Sequence, residues 1–164
     1  MRVEAAHTAT EAGPALVAAL ADADWERVAS ILHPDLQLRG LTPGKYNEAK
    51  GPGAVEQAID IFKLWFYEET DFLTGVLKCK VRPNGRDGQY KLSYSFLAKS
   101  PLMSQWHHDV GLGPVSPDVD WVVEQEAYYR VTDGRISWMI ILCDGYHRPV
   151  YRERTSLQPE SRAT

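Results

Sequence analysis

Two histidines beside a carboxylate, Trp106-His107-His108-Asp109, form the densest run of acid–base groups in the chain. Imidazole titrates near neutral pH, so His107 and His108 are candidates for moving a proton. No third ligand stands at a telling spacing. The pair therefore reads as proton carriers or as a solvated loop, and neither a metal nor another cofactor is expected. Glu124-Gln125-Glu126 interrupts an otherwise apolar stretch. Parity with Trp121, Val123, Ala127 and Tyr129 turns Gln125 inward, where a buried amide must find a partner in protein, water or ligand. A one-residue change of register brings Glu124 in instead. A carboxylate in an apolar setting has a raised pKa and suits general acid–base work. Tyr94 and Tyr128 are donors for a carbonyl or enolate oxygen, and only Tyr94 shares its row with apolar side chains. Arg39, at the end of an apolar stretch, is a candidate anchor for a carboxylate or carbonyl oxygen.

These groups need elements to hold them. Glu11–Ala21 has Leu16, Val17 and Leu20 at helical spacing, and Asp24 is an N-cap for a short helix over Trp25–Leu32 that Pro34 ends. Asp35–Arg39 alternates as a strand, Gly40–Gly53 reads as a loop, and Ala54–Phe66 carries a helical apolar face. Trp65, with Phe66 and Tyr67, caps the interior from that helix, supplying shape or plain core packing. Strands are predicted over Phe72–Arg82 and Gln89–Ala98, joined at Asn84-Gly85, and over Trp121–Thr132 and Arg135–Asp144, joined at Asp133-Gly134. In the last strand Met139 and Cys143 share a row toward the interior, while Asp144 and His147 stand at the rim as an orienting pair or a surface ion pair. Both faces of that strand are apolar, so the face left over points to a homodimer through the sheet. Ser100–Asp120 is a long loop of the kind that often carries function. Helices grouped ahead of a run of strands make the fold α+β: a curved, mostly antiparallel sheet wrapped around three N-terminal helices as a cone.

Composition limits the function. The formal net charge of -4 and pI of about 5.7 argue against a nucleic-acid partner. No apolar run reaches membrane-spanning length, and Met1–Thr10 lacks the apolar core of a secretory signal. Cys79 and Cys143 have no metal-ligand spacing. A cytoplasmic location with reduced thiols is the simplest expectation.

The ordered set Asp24-Trp25, His33-Pro34-Asp35-Leu36-Gln37-Leu38-Arg39, Gly51–Val55 and Asp133-Gly134-Arg135-Ile136 with Asp144 resembles the nuclear-transport-factor-2-like superfamily. Trp65-Phe66, Glu124-Gln125, Leu142-Cys143 and Arg148-Pro149 make it most similar to the SnoaL-like, polyketide-cyclase-like branch. The resemblance covers roughly Glu11–Pro149 and implies a ligand-binding cone and a homodimer. The general-base Asp of ketosteroid isomerases falls on Gly40 and their oxyanion Tyr near Leu16. The last-strand Asp of limonene-epoxide-hydrolase-like members falls on Ile141. Neither chemistry transfers.

The expectation is one domain over residues 1–149 with a charged tail over 150–164. It would bind a small hydrophobic, oxygenated, polyketide- or terpenoid-like molecule and isomerise, cyclise or dehydrate it without a cofactor. Arg39, Tyr94 and Gln125 would hold oxygens, and His107, His108 or Glu124 would move the proton. The rival is a non-catalytic ligand-binding or dimerisation module.

Overall fold

The computed structural model describes residues 7–42, 45–68, 71–85, 88–99, 120–142 and 147–150. Thr8 opens helix α1 (Ala9–Ala21) with a capping box. Its hydroxyl accepts from the Glu11 amide, and the Glu11 carboxylate accepts from the Thr8 amide at 3.0 Å. Asp24 caps α2 (Trp25–Ile31) by accepting from the Arg27 amide. Strand β1 (Leu32–Thr42) follows without a turn. A short β2 (Lys45–Ala49) leads to α3 (Ala54–Lys63) and then a π-helical turn, Leu64–Glu68. Strands β3 (Asp71–Pro83), β4 (Gln89–Lys99), β5 (Asp120–Thr132), β6 (Arg135–Leu142) and β7 (His147–Val150) complete the described elements.

The strand order is β2-β1-β6-β5-β4-β3, with β7 paired to the first residues of β5. Among the described strands, only β1 and β6 run parallel. Helix α1 lies on β3 through β6, α3 lies on β1 and β2, and α2 touches both helices. Six flat strands would span about 24 Å. Helices that touch each other while reaching both ends of the sheet require it to curve over them. Leu16, Val28, Ile31, Leu36, Leu38, Phe62, Leu92, Tyr129 and Ile136 are buried in the resulting core.

Several boundaries depart from the sequence reading. The predicted loop Gly40–Gly53 contains β2, and β1 starts at Leu32 rather than after Pro34. The predicted tail over 150–164 overlaps the end of β7, a strand the sequence reading did not expect, in which Pro149 faces Trp121. Proline cannot donate to a ladder and is confined to such edge positions.

The sheet is locked to α1 by one tyrosine. Tyr129 is fully buried, its ring lies against Gly13, and its hydroxyl donates to the Ala9 carbonyl at 2.6 Å. Burial pushes its pKa up to about 12. The folded value thus lies above the ordinary tyrosine value near 10, so the fold holds the proton more tightly than the unfolded chain does. The corresponding stability is fully present below about pH 10 and is lost as pH rises toward about 12. Melting temperatures followed over that window should fall for the parent protein, and the fall should be smaller in Tyr129→Phe. Equal slopes would remove Tyr129 from this account.

Candidate functional site

The cross-strand pairings sort the inner face of the sheet into rungs. The first runs Ala49–Leu38–Met139–Tyr129–Tyr90. The second runs Asn47–Gly40–Ile141–Ala127–Leu92. The third joins Gln125, Tyr94 and Cys79. The Tyr129 hydroxyl is taken up by α1, and Tyr90 stacks on the Tyr129 ring. Polar side chains enter at the second and third rungs, through Asn47, Gln125 and Tyr94. They lie toward the sheet end where β4 finishes and β5 begins.

Gln125 is the polar centre of this face. It is 6% exposed, and its Oε1 accepts the Tyr94 hydroxyl, itself on a residue 4% exposed. Tyr94 stacks on Phe96 with ring centres 6.4 Å apart. A primary amide has an acceptor end and a donor end. With Oε1 bound to Tyr94, the amide's Nε2 end is the one able to donate to another oxygen. Cys79 lies across from Tyr94, and burial raises its thiol pKa, leaving it a weak nucleophile at neutral pH.

Trp65 and Gly40 define the neighbouring corner. Trp65 is buried and meets Phe62 edge-on at 6.2 Å. Its ring occupies the place of a side chain at position 40: a Cβ built on Gly40 would lie 1.9 Å from Cη2 and 2.5 Å from Cζ2. The π-helical turn Leu64–Glu68 carries Trp65 there. The same turn carries Tyr67, whose hydroxyl donates to the Leu20 carbonyl at 2.5 Å, with that of Ala21 at 3.1 Å. Leu16 and Ile141 are buried apolar residues.

The other expected site residues fall in different places. Met139 is buried on the first rung. Glu124 is half-buried on the face opposite Gln125, across from Ser95. Tyr128 shares that outer face, with the Lys91 ammonium 6.0 Å from its ring. Arg39 is corrected by the strand's own alternation. Leu38 and Gly40 face inward, so Arg39 faces out, exposed, with its Nε 3.7 Å from Glu48. His107, His108, Cys143 and Asp144 lie outside the described residues, as do the side chains of His147 and Phe66. Asn47 is the inner-face polar residue that the sequence reading missed. Its Nδ2 is buried and meets no acceptor among the described residues.

The outer face has a different chemistry. An open groove of about 390 Å³ is lined by Lys80, Val81, Arg82, Lys91, Ser93 and Glu126. The Lys91 ammonium is 3.2 Å from Glu126, so part of its charge is already answered. Beside it, Trp138, Ile140 and Leu142 are half-buried, with the Arg130 guanidinium 5.5 Å from the Trp138 ring. Among the described residues no three His, Cys, Asp or Glu side chains gather as a metal site, and no helix is long and apolar enough to cross a membrane.

No family model matches the chain, and no curated protein matches it by sequence. Solved structures do match. A candidate polyketide cyclase from Xanthomonas campestris pv. campestris superposes with a TM-score of 0.56 at 17% identity, covering 83% of this chain and 90% of its own. One from Pseudomonas putida KT2440 gives 0.55 at 18% identity, covering 82% and 90%. An LEH-like epoxide hydrolase from M. tuberculosis gives 0.52 at 14% identity, covering 84% of each chain. These likenesses show the fold alone: an α+β cone shared with the two candidate polyketide cyclases and the LEH-like epoxide hydrolase.

Proposed function

We propose that the cone interior takes up a small hydrophobic molecule bearing a carbonyl or hydroxyl oxygen, of polyketide or terpenoid character, and isomerises, cyclises or dehydrates it without a cofactor. The buried Tyr94–Gln125 pair carries this reading. It is a polar, oriented centre on a face otherwise built of Leu38, Leu92, Phe96, Ala127, Met139 and Ile141. Sites for small molecules are typically such apolar surfaces with few polar groups fixing orientation. In the proposed reaction the ligand carbonyl accepts from Gln125, held in place by Tyr94. A donor there favours the enolate that forms when a neighbouring carbon loses a proton. His107 and His108 are the proposed proton carriers. Half-buried Trp138, Ile140 and Leu142 favour a homodimer through the outer face, which sedimentation equilibrium checks by mass.

A non-catalytic binder is the second reading, favoured by Gly40, where the Trp65 ring stands in the space of a side-chain base. Enolisation separates the two. The probe is 2-acetylnaphthalene in D2O, with loss of its methyl proton signal followed by NMR. An enzyme should exchange these protons above the buffer rate, and His107→Ala or His108→Ala should slow exchange about tenfold to a hundredfold or more. Binding without exchange would support the binder. Exchange undiminished in both histidine variants would discard the proposed carriers.

A further inference from the structure

Asn47 is half-buried, and the fold encloses its Nδ2 without an acceptor among the described residues. Its position follows from register. Ala49, buried on β2, faces inward opposite Leu38, so Asn47 two residues earlier faces inward opposite Gly40. Side chains directly opposite on antiparallel strands stand about 5 Å apart at Cβ. Gly40 contributes no side chain, and the Trp65 ring closes over it. The Asn47 amide therefore stands across from Gly40, where the tip of the Trp65 ring fills the side-chain place, and its Nδ2 meets no acceptor among the described residues.

A buried amide nitrogen without an acceptor is costly, and folded proteins tolerate few of them. An apolar side chain of the same size would avoid that penalty in the free protein. The exception makes sense when the acceptor arrives with a ligand. We infer that Asn47 donates a hydrogen bond from Nδ2 to a second oxygen of the bound molecule, one rung along the inner face from the Tyr94–Gln125 centre. This rests on the ligand-binding reading of the interior and narrows it. The occupant has two acceptor oxygens, carried on an apolar frame wide enough to reach from β5 to β2, with a flat part lying along Trp65. A fused-ring aromatic diketone or hydroxyketone has that pattern; a simple alcohol or hydrocarbon does not.

The test compares Asn47→Leu, which keeps the volume and removes the donor, with Asn47→Asp, which keeps the shape and replaces the donor with an acceptor. The probes are 2,6-diacetylnaphthalene, 2-acetylnaphthalene and 2-ethylnaphthalene, titrated by quenching of tryptophan fluorescence. The parent protein should bind the diketone about tenfold more tightly than the monoketone. Both variants should bring that ratio close to one while leaving 2-ethylnaphthalene unchanged. In the free protein, Asn47→Leu should raise Tm by about 2–4 °C, because it removes an unmet donor. A purely structural asparagine would give a fall in Tm and leave the probe ratio intact, and either result overturns the inference. If the parent protein binds both ketones equally, Asn47 has no ligand role although the interior still takes a ligand. If it binds none of the three, the ligand-binding reading itself fails and the inference with it.

Discussion

Gly40→Ala should lower the melting temperature by roughly 5–10 °C, the result of about 2–3 kcal/mol of overpacking. The added methyl would lie 1.9 Å from Cη2 of Trp65, far inside contact distance. The ring has little room to retreat. It is buried, set edge-on against Phe62, and held on a π-helical turn whose Tyr67 is tied to the end of α1. The clash is with that ring alone, so the pair should be strongly non-additive. Trp65→Leu alone should cost about 2 kcal/mol for the volume it empties. Gly40→Ala added to it should then cost little, and the double variant should be more stable than the sum of the singles by about 1–2 kcal/mol. A Gly40→Ala protein that melts with the parent would show that the two positions do not meet. Gly40→Asp should fare worse still, since it adds a carboxylate in an apolar corner.

The second large effect concerns Tyr94 and Gln125. Gln125→Leu takes away the acceptor of a buried hydroxyl, and Tyr94→Phe takes away the donor from a buried carbonyl oxygen. Each breaks a buried hydrogen bond and should cost about 1–3 kcal/mol. Replacing both removes the mismatch, so Tyr94→Phe/Gln125→Leu should be no less stable than the weaker single variant. Denaturant midpoints of the four proteins give the coupling directly. Ligand affinity should behave differently. Gln125→Leu and the double variant should both lose about tenfold for 2-acetylnaphthalene, because stability recovers when the pair is deleted while the donor to the ligand does not. Recovery of affinity in the double variant would contradict Gln125 as the ligand's partner.

Much of this geometry was legible in period-two patterning. The apolar neighbours of Gln125 place it inward and Glu124 outward, as the structure has them. The same rule applied to Leu36 and Leu38 turns Arg39 away from the interior; its position at a strand end suggested reach that the alternation denies it. Asn47 was lost because Lys45–Ala49 is a short strand lying among glycines and prolines, which read as loop. Its pairing depends on β1, not on its own propensity. β7 was hidden for a related reason, since four residues including Pro149 carry almost no strand signal. Local pattern gives no sign of a π-helical turn, so Trp65 could be placed near the interior but not over Gly40.

The parallel pairing of β1 with β6 has a consequence for how the chain reaches its fold. Leu41 meets Leu142, about a hundred residues further along the chain. Every element between them must be made before that ladder can form. Until then β1 lacks its parallel partner, although α1 can already meet α2 and β3. Contacts closing so long a span slow folding. Synthesis proceeds from the N-terminus at about 5–20 residues per second, so β1 waits several seconds for its parallel partner. On the ribosome, the β1–β6 ladder should be among the last parts of the sheet to become protected from a protease.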